Sequence, residues 1–229
     1  MKKIAVIPVK EKSERVESKN FREFYKGKSL FDLLIEKLIH SKTFDKIYVS
    51  SNSHSLKQKV NSLGIEFISR DDSFCNNDIP WSDVIAHVAE SIPEKDDSIL
   101  AWCHTTSPLF TEYEKAMKEF DSVYKEGTND GLVTVSKVND FIISENLQPL
   151  NYSWGPWHRY SQHLDNYFSI TGALFIAPIK EMILNRYVIS KNPFLYEVSP
   201  IESIDIDTQL DFEIAKMLMK NRPSLIKNA

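Results

Sequence analysis

Short apolar runs alternate with amphipathic segments along most of this chain, and that rhythm admits few folds. Residues 3–9 read as a strand with apolar side chains on both faces, and residues 29–40 carry Leu30, Leu33, Leu34, Ile35, Leu38 and Ile39 at helical spacing. Residues 46–50 predict a second strand and 51–63 the helix after it, with Gly64 placed to end that helix. Residues 66–69, 98–103 and 131–138 follow as strands. Helices are expected over 81–91 and 111–124, the latter with Thr111 as its N-cap. Strands apolar on both faces, alternating with helices, require a mostly parallel sheet covered on both sides. The expected class is therefore a doubly wound α/β fold. A chain of 229 residues can bury such a core as a single domain over 1–229.

The rhythm breaks between residues 139 and 167. Here Tyr152, Trp154, Trp157 and Tyr160 crowd around Gly155 and Pro156, a composition too aromatic for a solvent loop and too broken for a helix. Three readings stay open: a substrate lid, a dimer-forming arm, or a piece of core. The strand at 168–177 then resumes with Gly172 inside it, a residue that lets another group approach the backbone closely.

A net charge of −4, with Lys and Arg dispersed, argues against a nucleic-acid footprint. No stretch approaches the roughly 18 apolar residues of a membrane span. The apolar run after Lys2 and Lys3 is too short for a signal peptide, and Cys75 and Cys103 lack paired-motif spacing. A cytoplasmic protein with reduced thiols is expected.

Three segments after strands carry chemistry. The first, residues 9–20, holds Lys10, Lys12, Arg15 and Lys19 with a hydroxyl at Ser13. Such cations suit a triphosphate, but the loop has no glycine, so side chains rather than a backbone cradle must do the holding. The bland alternative is a solvated loop whose Lys and Glu pair with each other. The second, His104-Thr105-Thr106-Ser107-Pro108-Leu109, brings an imidazole and three hydroxyls off a buried strand, where capping is the competing explanation. The third is Ser203-Ile204-Asp205-Ile206-Asp207-Thr208. In extended chain Asp205 and Asp207 share a face with Cα atoms roughly 7 Å apart, while Ile204 and Ile206 turn to a core. Two facing carboxylates call for a cation or a proton, and oxygen-only ligands suit Mg²⁺. Alternatively, Asp207 or Thr208 caps the helix that follows.

Taken in order, these segments resemble the acylneuraminate cytidylyltransferase family, whose members make CMP-activated ulosonic acids. The family's first loop, P-A-R-x-x-S-x-x-x-P-x-K-N, corresponds to residues 8–20: Ser13, Lys19 and Asn20 match, and Lys10 stands for the usual Arg. Its S-T-D appears as Ser50-Ser51-Asn52, its arginine after the third strand as Arg70, and its Q-P-T-S-P-L-R as residues 104–110. Its closing I-D-I-D-T-x-x-D matches residues 204–211 in full, so the similarity runs from residue 4 to about 218.

The resemblance implies a nucleotide-diphospho-sugar transferase-like fold with a small dimerisation excursion at 139–167. It also implies transfer of CMP from CTP to a sugar or sugar-like acceptor with release of pyrophosphate, for surface glycan synthesis. Lys10, Ser13, Arg15, Lys19 and Asn20 are expected around the phosphates, and Arg70, Thr106 and Ser107 around the nucleotide. Asp205 and Asp207 are expected to hold Mg²⁺, and Lys10, Lys19, Asp205 and Asp207 form the expected catalytic set. A homodimer that binds neither nucleic acid nor membrane is expected.

The family's acceptor-facing segment, R-Q-x-L-P-x-x-F-R-x-N-G, departs most. Gln162, Leu164, Phe168 and Gly172 remain, but Ser161 and Ser169 replace both arginines and Thr171 replaces the Asn. Serine cannot grip a carboxylate as an arginine fork does, so an acceptor other than ordinary sialic acid is expected. His104, Gln162, Ser169 and Thr171 are the acceptor-side candidates, with Arg159 and His158 as cations from the excursion. The altered loop at 10–12 keeps open an alternative, a catalytically impaired nucleotide-binding or interaction protein of the same fold.

Overall fold

Strand β1 (Lys2–Pro8) sends Ala5 and Ile7 into one core and Ile4 and Val6 into another. Such a strand is stable only where helices cover both faces of its sheet. The computed structural model describes residues 1–221 other than 14, 77 and 96. After β1 comes a short hairpin, β2 (Glu23–Tyr25) and β3 (Lys28–Ser29), whose turn takes positive φ at Lys26 and Gly27. The chain continues through α1 (Leu30–Ser41), β4 (Lys46–Ser51), α2 (His54–Asn61), β5 (Glu66–Ser69), α3 (Trp81–Glu90), β6 (Ser98–Cys103) and α4 (Tyr113–Lys125). It ends with β7 (Gly131–Lys137), β8 (Phe168–Pro178), α5 (Ile179–Asn185), β9 (Pro193–Glu197) and α6 (Gln209–Asn221).

Seven strands form one sheet in the order β5-β4-β1-β6-β8-β7-β9, parallel except for β8, which runs against both neighbours. On one face α1, α2 and α4 bury Phe31, Leu34, Val60, Met117 and Phe120. On the other, α3 and α5 bury Val84, Val88, Ile179 and Met182 over Trp102 of β6. A third cluster packs Phe212 and Ala215 of α6 against Phe24, Leu30 and Ile206. This is the mostly parallel, doubly covered sheet that the alternation predicts.

The strand order reverses at β1. From there β4 and β5 extend the sheet one way, and the chain then returns to lay β6 on the other side of β1. The loops leaving β1 and β6 therefore diverge above adjacent strand ends, where sheets of this kind open a ligand crevice.

Some local expectations are corrected. Thr111 does not cap α4: the helix starts at Tyr113, and Glu112 holds the cap position without a side-chain bond. The edge strand β9 and the short helix α5 had no clear signal in the sequence. Neither Cys75 nor Cys103 is in a disulfide. No helix among the described residues is long and apolar enough to cross a membrane. Residues 139–167 contain no long helix or strand. They hold one isolated bridge, Ile143 to Pro149, and tight helical turns at Gly155–Trp157 and Ser161–His163.

Candidate active site

A cleft of about 1040 Å³ opens where the loops after β1 and β6 separate. One wall is the loop after β1, which presents Lys10, Ser13, Arg15 and Lys19. Lacking glycine, it is braced from outside. Arg70 donates to the Val9 carbonyl at 3.0 Å, and the Glu11 N–H donates to Asn52 Oδ1 at 3.1 Å. Asn20, itself buried, donates to the Lys10 carbonyl at 3.4 Å and accepts from Thr105 Oγ1 at 2.7 Å. Arg70 and Asn20 also line the cleft, whereas Asn52 does not.

The opposite floor is the segment that carries the two aspartates. It joins no sheet, and the backbone bond from the Ile206 N–H to the Thr106 carbonyl at 2.9 Å ties it to the loop after β6. Lys19 Nζ donates to the Ile206 carbonyl at 2.5 Å. Capping of α6 is done by its neighbours. The Thr208 N–H and hydroxyl donate to Asp211 Oδ2 at 2.7 and 2.8 Å, and the Asp211 N–H returns to Thr208 Oγ1 at 3.3 Å. With that task taken, Asp205 and Asp207 both line the cleft.

Asp207 Oδ1 accepts from Arg15 at 2.7 Å. Asp205 Oδ1 is buried with no hydrogen-bond partner among the described residues. An orphaned carboxylate oxygen costs free energy unless something binds it. A magnesium ion fits this donor set. Both carboxylates offer hard oxygens, and no cluster of three His, Cys, Asp or Glu among the described residues would enclose a metal by itself. Magnesium is commonly held in this way, by one or two carboxylates with substrate phosphates completing its shell. Burial holds the Lys19 ammonium below its ordinary pKa, and the charges of Asp207 and Asp205 oppose that shift.

His104 also faces the cleft, but its ring is occupied. The Trp102 indole N–H donates to Nε2 at 2.8 Å, which leaves the proton on Nδ1, directed to the Gly172 carbonyl. Burial lowers the imidazole pKa, and with both ring nitrogens engaged the side chain is an oriented hydrogen-bonding group with no nitrogen spare for proton abstraction.

Gly172 explains the glycine inside β8. A Cβ there would lie 3.1 Å from Asp205 Oδ2 and 3.3 Å from His104 Nδ1. If the resemblance to cytidylyltransferases carries over, Gly172→Ala is therefore expected to displace Asp205 by a few tenths of an ångström and to lower turnover by about 10-fold, leaving metal-free CTP binding intact. Steady-state kinetics and a CTP titration in EDTA check this; unchanged turnover would mean that the site tolerates the shift.

The third wall is apolar and was not legible in advance: Phe74, Ile79, Trp81 and Val84. Trp81 is 46% exposed and stands edge-on to Trp102, with ring centres 5.7 Å apart. No motif marks it. The available signal was a tryptophan opening a helix directly after Pro80, at a place where surface helices usually present polar groups.

Other expected site residues lie elsewhere. Ser107 is buried, its hydroxyl has no partner among the described residues, and it does not line the cleft. Thr171 turns to the far side of β8, donating to Thr134 Oγ1 at 2.8 Å, as it must if its neighbour Gly172 faces the cleft. Gln162 and Ser169 are exposed and outside the cleft. Arg159 is paired with Asp165 at 3.1 Å, and His158 stacks on Phe141 at 4.8 Å.

Comparison with known proteins shows the family and the fold. The model of the cytidylyltransferase family matches residues 4–228. A Helicobacter pylori protein named "Pseudaminic acid cytidylyltransferase and UDP-2,4-diacetamido-2,4,6-trideoxy-beta-L-altropyranose hydrolase" is 24% identical over 223 residues, 94% of this chain but 42% of that protein. This chain thus spans less than half of that relative. A Campylobacter jejuni pseudaminic acid cytidylyltransferase is 23% identical over 229 residues, 96% of this chain and 97% of its own length. Among solved structures, a CMP:2-keto-3-deoxy-manno-octonic acid synthetase complexed with CTP superposes with a TM-score of 0.66 at 14% identity, covering 97% of this chain and 100% of that one.

Proposed function

Since the chain belongs to the cytidylyltransferase family, we propose that it transfers CMP from CTP to an ulosonic acid of the pseudaminic type, releasing pyrophosphate, as a cytoplasmic step of surface-glycan synthesis. One observation carries this reading: a cationic loop and two carboxylates, one with an unpartnered oxygen, face each other across a single cleft.

In this reading the acceptor hydroxyl gives its proton to water as it attacks the α-phosphorus in line, and the bond from that phosphorus to the oxygen shared with the β-phosphate breaks, so that pyrophosphate leaves. Lys10, Arg15 and Lys19 hold the triphosphate and balance charge on the departing pyrophosphate. Magnesium held by Asp205 and Asp207 would add charge neutralisation at the phosphates. His104 lines the Asp205 side of the cleft as an oriented hydrogen-bonding group. The apolar wall around Trp81 gives the acceptor's methyl-bearing groups a surface to pack on, which suits a deoxy, acetamido-bearing sugar better than a fully hydroxylated one.

The test is incubation with CTP, Mg²⁺ and a panel of pseudaminic acid, N-acetylneuraminic acid, sugar phosphates and polyol phosphates, with pyrophosphate followed. Release with none of them, together with no CTP binding, defeats the reading. CTP binding without turnover favours a catalytically impaired binding protein.

The excursion at 139–167 completes the site of a second copy in a homodimer. Its support is the exposure of Trp154, Trp157 and Tyr160, residue types enriched at interface centres. Trp154→Ala is expected to weaken the dimer in sedimentation, and Arg159→Ala to raise the acceptor KM more than the CTP KM. Wild-type protein that sediments as a monomer at micromolar concentration would remove the shared site.

A further inference from the structure

A charged side chain shut away from solvent lies behind the site rather than in it. Lys37, on α1, is 2% exposed, and its Nζ donates to the carbonyls of Phe110, at 2.9 Å, and Pro108. A lysine is almost never buried this fully unless its nitrogen is committed to partners. Both partners belong to the loop that leaves β6. That loop reaches the cleft through His104, Thr105 and Thr106. It also makes two bonds that locate the site's other parts. Thr105 Oγ1 donates to Asn20 Oδ1 at 2.7 Å, which steadies the loop after β1, and the Thr106 carbonyl accepts from the Ile206 N–H at 2.9 Å, between the two aspartates.

We propose that Lys37 is a positioning residue: by tying the Pro108 and Phe110 carbonyls to α1, it sets where Thr106 receives Ile206, and hence where Asp205 and Asp207 stand. An apolar side chain at this position leaves two buried carbonyls without their donor, and the loop recovers hydrogen bonds only by shifting toward water. The aspartate segment then loses its fixed support, because the Thr106 carbonyl moves with the loop.

The first arm of the test needs no acceptor. Amide hydrogen exchange is compared in the whole chain, wild type against Lys37→Met. Exchange at Ile206 is expected to rise by about 10-fold or more relative to core amides of β1 and β4, which report global opening. The second arm rests on the cytidylyltransferase reading. With CTP, Mg²⁺ and pseudaminic acid, kcat per folded molecule is expected to fall by about 10-fold or more, with a smaller change in the CTP KM. Lys37→Gln, which keeps a donor on a shorter stem, is expected to restore part of both, and it decides the matter if Lys37→Met does not fold. Ile206 exchange that merely tracks the core amides, or wild-type kcat in a folded variant, overturns the proposal. If wild type shows no turnover while the substitution still frees Ile206, the proposed activity fails and the positioning role stands.

Discussion

Asp205→Asn is expected to lower pyrophosphate release by about 10²-fold or more at saturating CTP and Mg²⁺, the scale of a lost metal ligand. The substitution keeps the shape of the side chain and removes its charge. In the folded protein one carboxylate oxygen is enclosed without a partner, so no hydrogen bond is sacrificed and the fold is expected to melt at or slightly above the wild-type temperature. Asp207→Asn is expected to act in the same direction but to disturb the apo site more, because it also breaks the contact with Arg15. Pyrophosphate assays over a magnesium titration, with thermal melts alongside, check both. Near-normal turnover of the Asp205 variant would place the cation elsewhere, and a large drop in melting temperature would make Asp205 a structural residue.

Lys19→Met is expected to be as damaging, by a different route. Lys19 faces the cleft and also ties the aspartate segment down through the Ile206 carbonyl. Its removal takes a cation from the phosphates and leaves a buried carbonyl unsatisfied, at a stability cost of about 1–3 kcal/mol. Turnover is expected to fall by about 10²-fold or more, with the CTP KM rising, whereas the Asp205 variant keeps its affinity for free CTP. Urea melts and calorimetric CTP titrations separate the two losses. A Lys19 variant with wild-type CTP affinity would show that Lys10 and Arg15 suffice to hold the triphosphate.

The parts of the molecule that could be read beforehand are those in which each residue obeys a local rule. Strands β1 and β6 announce themselves because both faces are buried, and α1 because its apolar stripe begins directly after a Ser29–Asp32 capping box. Strand β9 does not, since it opens with a proline and buries only Tyr196 fully, so no clean alternation marks it. The cap of α4 was misplaced because threonine is a good cap by type, yet the backbone enters helical geometry later, at a glutamate held by Tyr196 at 2.7 Å. In the site, the loop after β1 and the aspartate pair were legible as motifs. The orientation of Thr171 was not: sequence similarity aligns it with a substrate-facing residue, but in a strand its side chain is fixed on the face opposite to the one that the Cα of Gly172 leaves open to Asp205 and His104. The apolar wall at Trp81 is assembled by packing of α3 against Trp102 on one face of the sheet, which no spacing within one segment reveals.

The bond between Lys19 and Ile206 joins residues 187 positions apart. A ribosome adding about 5–20 residues per second completes the loop after β1 many seconds before the aspartates leave the exit tunnel. Strand β8, which the sheet needs between β6 and β7, also arrives after both of its neighbours have been made. The nascent chain can therefore gather cations around its first strand long before it owns the carboxylates that complete the chemistry. Contacts of such long sequence separation also close slowly, because the loop entropy is paid before the contact is gained. On the proposed function, competence for catalysis thus arrives as one of the last events of folding, and a chain cut short of the aspartate segment keeps the cationic loop without the carboxylates proposed to hold magnesium.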